Sequence, residues 1–269
     1  MPVAKWGIAL SDLHCGSIWG LRPYQVYLPK DGTCIETGKV GTALYKAYEK
    51  VVARYTKPDF LLFGGDSIEG AQRKSKGEGV WSTDIAEQAN VAVTLIDSFK
   101  AKKVYCVRGT DYHVNDGTNA DEYVGGSVAG SVPRDNRTAP PDRYLDVNGC
   151  VIHISHKLGG TRVFQYRGTP PARELTMNRV MSKETETYKC NLVLRGHVHH
   201  FFLVQAGPHS VCATIPCWKA RDDYSARENP FVWMPQIGIL LIEIDSKGAF
   251  RVTPDLVEFS IQRPPMETL

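Results

Sequence analysis

Asp12-Leu13-His14 and His197-Val198-His199 repeat one pattern, two metal-type side chains separated by a single residue. Asp66, His156 and the Asp111-Tyr112-His113 stretch add further carboxylate and imidazole groups. Nitrogen and oxygen donors of these kinds suit manganese, iron, zinc, cobalt or nickel, whereas a calcium site is nearly all oxygen. On an extended strand end alternate side chains share one side, so each pair reads as two ligands aimed at one centre. Asp12, His14, Asp66, His156, His197 and His199 are more ligands than one four-coordinate ion takes. Two divalent ions a few ångströms apart, bridged by a carboxylate, is the economical arrangement, with Asp66 as the candidate bridge.

Such a centre needs elements that bring distant residues together. Val3 to Leu10, Asp59 to Phe63, Val104 to Val107, Val151 to Ser155 and Asn191 to Arg195 are short apolar runs with the length and β-branched or aromatic content of buried strands, and each runs out just before one of the clusters. In open α/β sheets, sites form beyond the carboxyl ends of the strands. Helical spacing predicts a helix over Gly41 to Tyr55, and Thr83 or Asp84 can cap a second helix through about Lys100, with Ile85, Ala89, Ala92, Val93 and Ile96 as its apolar stripe. The first half therefore reads as β-α-β-α-β around a parallel sheet. In the second half Asn148-Gly149 marks a type I′ hairpin, and Thr169-Pro170-Pro171 opens a helix to about Lys189 with Thr169 as its cap. Strands are expected at Leu192 to Arg195, Phe201 to Gln205, Val211 to Ile215, Gly238 to Ile244 and Phe250 to Val252. The sum is a mixed two-sheet sandwich covered by helices, read as a single domain over 1–269.

The order Asp12-Leu13-His14, then Gly65-Asp66-Ser67-Ile68-Glu69-Gly70, then the lone His156 after a strand, then Gly196-His197-Val198-His199 resembles the signature of the calcineurin-like metallophosphoesterases. The resemblance covers roughly residues 3 to 200, and its compact form is similar to phage-type members. It implies a four-layer αββα fold and a binuclear metal centre that hydrolyses phosphate esters. One motif departs: where the family has Gly-Asn-His this chain reads Gly109-Thr110-Asp111-Tyr112-His113, so Thr110 stands in the place of a metal-binding asparagine. Asp111 or a water could substitute. The family's general acid, the histidine that protonates the leaving oxygen, would then be His113.

With 269 residues, a formal net charge of +3 and interspersed charges, the chain can bury a sizeable core and is neither basic enough to require nucleic acid nor acidic enough to exclude it. Its seven cysteines include no Cys-x-x-Cys pair, and no segment is long and apolar enough for a membrane span, so it reads as a cytoplasmic protein with reduced thiols and no membrane partner. Cys15, though beside His14, lacks a local base and is not expected to be a nucleophile. Nothing in the sequence specifies an oligomeric state.

Three irregular segments, Gly16 to Lys39, Gly70 to Ser82 and Asn115 to Pro141, follow the first three clusters and should rim the site. Trp19, Tyr24 and Tyr27, with Arg73, Lys74 and Lys76 and a later stretch from Trp218 to Trp233, set basic groups beside aromatic rings. That suits a nucleotide or a single strand of nucleic acid, although solvated loops anchored by buried aromatics give the same pattern. Arg108 and Arg195, each before a motif glycine, are candidates for gripping phosphate, with a structural role the stronger expectation for either. His153 is expected in the core or behind the ligands, and His200 and His209 on the surface or behind the ligands. The leading expectation is a phosphodiesterase for nucleotides or nucleic acid, using two divalent ions with manganese first. The alternatives are a phosphomonoesterase or protein phosphatase, and a non-catalytic scaffold that keeps the fold for protein binding.

Overall fold

The computed structural model describes residues 2–72, 76–114, 119–160, 163–222 and 234–259. Strand β1 (Lys5–Leu10) is followed by a small hairpin, β2 (Gln25–Tyr27) and β3 (Cys34–Glu36), and then by helix α1 (Lys39–Arg54), β4 (Phe60–Phe63), α2 (Ile85–Asp97) and β5 (Val104–Cys106). Two short helices, α3 (Asp111–Val114) and α4 (Ala120–Ser127), precede β6 (Asp142–Val147) and β7 (Cys150–Ser155). After α5 (Thr169–Glu184) come β8 (Leu192–Arg195), β9 (Leu203–Gln205), β10 (Val211–Thr214), β11 (Ile237–Ile244) and β12 (Phe250–Val257).

These strands form two five-stranded sheets, ordered β12-β11-β1-β4-β5 and β6-β7-β8-β10-β9. Strands β1, β4 and β5 run parallel, as do β7, β8 and β10, with antiparallel strands completing each sheet. Side-chain alternation sorts the core into layers. Ala9, Leu62, Leu240 and Ile242 of the first sheet pack against Ile152, Ile154, Leu192, Leu194 and Ala213 of the second. The other face of the first sheet, with Ile8, Leu10, Leu61 and Phe63, receives Leu44, Tyr48 and Val51 of α1 and Ala89, Ala92, Leu95 and Ile96 of α2. Leu175 of α5 covers Val193 and Cys212 on the outer face of the second sheet. The layers are α, β, β, α, as the resemblance implies.

Local chemistry explains the element ends. Asp84 caps α2, accepting from Ala86 N and Glu87 N. Asn148 and Gly149 take φ of 54° and 88°, the two left-handed positions of the expected hairpin turn. Three expectations need correction. Thr169 is the first residue of α5 and not its cap; Gly168 holds that position without a side-chain bond. The helix stops at Glu184 rather than near Lys189, because Thr185 turns extended and its hydroxyl takes the Met181 carbonyl at 2.7 Å. The first rim segment contains the β2–β3 hairpin and the third contains α4, so neither is wholly irregular.

Leu192 is fully buried between the sheets. Leu192→Ala should lower unfolding free energy by about 2–5 kcal/mol, read as a lower urea midpoint with unchanged slope.

Candidate metal centre

The carboxyl ends of the parallel strands in both sheets bring the clusters together. Asp12 and His14 follow β1, Asp66 follows β4, His156 follows β7, and His197 and His199 follow β8. The backbone there is not extended. Asp12, His14, Asp66, His197 and His199 take φ of 55°, 48°, 52°, 72° and 55°, all left-handed and none a glycine. The alternate spacing of each pair therefore works through tight turns and not, as expected, through a strand end. Such conformations are strained by roughly 1–3 kcal/mol each and persist only where neighbours over-determine them. Here the turns after β1 and β4 are laced together: Asp12 N donates to Gly65 O at 3.0 Å, His14 N to Asp66 O at 3.2 Å and Cys15 N to Ser67 O at 3.0 Å.

The six candidate ligands meet in two groups, and His14 also meets Glu69 and His113 in a third. Asp12, His14 and His199 bring ligand atoms within 4.8 Å of one another, and so do Asp66, His156 and His197. Hydrogen bonds behind these atoms decide which lone pairs face inward. His156 Nδ1 donates to the Gly64 carbonyl at 2.7 Å, so Nε2 is the ring atom that faces Asp66 Oδ2, 3.1 Å away. His14 Nδ1 is held 2.8 Å from Glu69 Oε2, and His14 Nε2 faces His199 Nε2 at 3.1 Å. Asp12 Oδ2 accepts from Ser11 Oγ at 2.5 Å and from His197 N at 3.1 Å. Asp12 Oδ1 lies 3.2 Å from His199 Nε2, and both it and His156 Nε2 are buried without a hydrogen-bond partner. Buried ligand atoms aimed at one another are the donor set a cation satisfies, and the residues present fit a divalent metal.

Electrostatics agree. Burial opposes ionisation of Asp12 and Asp66, yet surrounding imidazoles, His156 foremost, hold both carboxyls below the usual range. Those carboxylates pull His156 up to about 10 against the effect of burial. The demand for positive charge that draws a proton onto His156 is one a divalent cation meets more fully.

The departed motif resolves geometrically. Thr110 N donates to Asp66 Oδ1 at 2.7 Å, and its hydroxyl lies 3.1 Å from each Asp66 oxygen, so Thr110 orients the candidate bridge. Asp111 does not substitute for the asparagine: its side chain is 77% exposed and pairs with Arg108. His113 lies at the centre's edge, its ring 4.5 Å from that of His14 and its Nδ1 2.9 Å from Glu69 O. Burial, then the neighbouring His14, pushes its imidazole down to about 4. Asp121 pins the two loops together, accepting from Ser67 N at 3.1 Å and Gly109 N at 2.7 Å. The motif glycines are required by contact. A Cβ on Gly109 would lie 2.1 Å from Asp66 Oδ1, and one on Gly196 would lie 2.4 Å from Ser11 Oγ.

Sequence reasoning missed Glu69, Lys219 and Gln88. Glu69 is the fifth residue of the Gly65–Gly70 motif, and its role shows only once β4 and β1 bring it behind His14. Gln88, buried on α2, accepts from Glu69 N and Gly70 N and donates to Gly70 O and Ser82 O, using every bond an amide side chain offers here. Arg195 is structural: it is buried and binds Glu174 at 2.6 Å and His153 at 3.2 Å. His153 lies on the α5 side of the second sheet, stacked on Tyr144. His200 bonds the Val198 carbonyl at 2.8 Å, and His209 is exposed. Cys15 is fully buried and its thiol is pushed up by burial, in keeping with an inert role. Trp218 is no rim residue but a core side chain edge-on to Tyr48 at 4.9 Å. Arg73, Lys74 and Trp233 lie outside the described residues.

Gly109→Ala should displace Asp66 and weaken divalent ion binding by at least about tenfold, measurable by calorimetric titration with manganese.

No protein-family model and no curated protein matches the chain. Among solved structures, wild-type Vps29 from Entamoeba histolytica complexed with zinc aligns over 93% of this chain and 98% of its own, with 9% identity and a TM-score of 0.44. A Streptococcus pneumoniae protein described as a predicted phosphoesterase aligns over 93% and 98%, with 13% identity and a TM-score of 0.38. NAD nucleotidase from Haemophilus influenzae aligns over 94% of this chain and 56% of its own, with 13% identity and a TM-score of 0.43. Likeness at these scores carries no argument about function. The chain's own two mixed sheets between layers of helices, with the motifs at the strand ends, agree with the αββα architecture that the sequence resemblance implies.

Proposed function

We propose that this chain is a hydrolase of phosphate esters that works with two divalent ions, one held by Asp12, His14 and His199 and the other by His156 and His197, with Asp66 between them. The observation that carries the reading is the convergence of buried carboxylate and imidazole atoms, among which Asp12 Oδ1 and His156 Nε2 have no hydrogen-bond partner. When bound, the ions would supply the charge that activates water for in-line attack on phosphorus and that offsets negative charge on the phosphoryl oxygens. Manganese heads the candidates, followed by iron, zinc, cobalt and nickel.

The chain's own groups then divide the remaining work. Thr110 keeps Asp66 turned toward both ligand groups. Glu69 O fixes His113 through Nδ1, so its Nε2 is the atom free to serve the leaving oxygen. The imidazole is neutral on its own, and a phosphate anion beside it favours the protonated form needed for a general acid.

A phosphodiester is the preferred substrate. A monoester dianion calls for an arginine clamp, and the two arginines flanking the motif glycines are committed to carboxylates, Arg108 to Asp111 and Arg195 to Glu174. Tyr112, 58% exposed and edge-on to His113 at 5.0 Å, offers an aromatic face beside the leaving-group side, which suits a nucleotide or nucleic-acid strand. No described helix is long and apolar enough to cross a membrane.

Hydrolysis of bis-p-nitrophenyl phosphate should depend on added manganese, exceed that of p-nitrophenyl phosphate, and vanish in Asp66→Asn. Faster monoester cleavage would reassign the chain to the phosphomonoesterases, and no activity with any metal would favour the scaffold. His113→Ala should lose about 10²–10⁴-fold on a nucleotide diester with a poor leaving group and much less on p-nitrophenolate esters. Equal losses on both would remove His113 from the acid role.

A further inference from the structure

Lys219 is a buried ammonium inside a cluster that otherwise gathers donors for cations. It comes from a sixth strand end, that of β10. Trp218 N donates to Asp12 O and Ala220 N to Trp19 O, both at 2.9 Å, so the segment carrying Lys219 is stitched across the loop that carries His14. Lys219 Nζ lies 3.0 Å from Glu69 Oε1, 3.1 Å from Glu69 Oε2 and 2.9 Å from Asp222 Oδ2. Glu69 Oε2 lies 2.8 Å from His14 Nδ1. Ammonium, carboxylate and imidazole thus form one line that ends on a candidate metal ligand. His156 has no such backing, because its Nδ1 donates to the neutral carbonyl of Gly64. The two halves of the centre are supported by different electrostatics.

We infer that Glu69 and Lys219, the latter also anchored by Asp222, are a positioning pair that sets the affinity of the ion held by Asp12, His14 and His199 and leaves the ion held by Asp66, His156 and His197 largely unaffected. This rests on the proposed two-ion centre. A carboxylate behind an imidazole fixes its tautomer and strengthens it as a ligand. Left unpaired in a buried place, that carboxylate would turn toward the cations and ligate them itself, and Lys219 holds it back. Lys219 without Glu69 would instead repel the adjacent ion. The effect of each residue therefore depends on the other.

Titration of the full chain with manganese, with free ion followed by electron paramagnetic resonance, tests this on wild type, Glu69→Gln, Lys219→Met, Lys219→Arg and the double variant Glu69→Gln/Lys219→Met. Wild type should take two ions. Glu69→Gln keeps an acceptor for His14 but removes the carboxylate that stands between Lys219 and that ligand, leaving Asp222 to pair the ammonium from the far side, so it should retain one tight ion and bind the other about 100-fold more weakly. The weakened ion should be the one lost in His199→Ala and retained in His197→Ala. Removing both charges should restore binding to within about tenfold of wild type, and Lys219→Arg, which preserves the charge, should titrate as wild type. Equal weakening of both ions in Glu69→Gln, or additive losses in the double variant, would overturn the inference, with thermal unfolding confirming that each variant is folded. Fewer than two ions in wild type would instead remove the two-ion centre, and the inference with it.

Discussion

Two carboxylates, Asp12 and Asp66, are taken out of water at the end of the sandwich with no lysine or arginine against either of them among the described residues. An ionised group so placed is tolerable only where hydrogen bonds and positive charge answer it. Ser11 and the His197 amide serve one oxygen of Asp12, Thr110 serves Asp66, and the other Asp12 and Asp66 contacts are to imidazole nitrogens. Most of the unusual backbone at this end follows from that requirement. Left-handed turns aim the side chains, and Gly109 and Gly196 let neighbouring loops approach to distances that any side chain would block.

The fold's contribution is to make those distances rigid. Ligands come from both sheets, so their separation is set by how the sheets pack, and that interface is filled by fully buried aliphatic side chains such as Ile152, Leu192 and Leu240. A close-packed apolar layer does not deform continuously. Helix α2 adds a second anchor, since Gln88 reaches from it to hold the loop that follows Asp66.

Much of this was legible in the sequence, for stated physical reasons. Apolar runs of strand length ending in histidine or aspartate gave β1, β4, β5, β7 and β8 and the six candidate ligands, because burial and residue type both leave local marks. What escaped were relations between distant residues. Lys219 reads as one basic residue among many until β10 is paired with β8 and its end is carried across Asp12. Trp218 beside it reads as a surface aromatic, and only the packing against Tyr48 shows a core residue. The hairpin at β2 and β3 was hidden because its three-residue strands are too short for a periodic signal.

The position of β1 in its sheet governs when this molecule can become complete. It lies between β4, the next strand of that sheet along the chain, and β11, whose residues pair with it from more than 200 positions away, as Trp6 does with Glu243. During synthesis one edge of β1 therefore waits until β11 has emerged. Pairings of such long sequence separation form slowly, and partly assembled sheets expose apolar edges meanwhile. In the proposed two-ion reading, loading would need residues from both sheets and so would belong to the last stage of folding, and divalent metal supplied during expression would draw the late intermediates toward the native state.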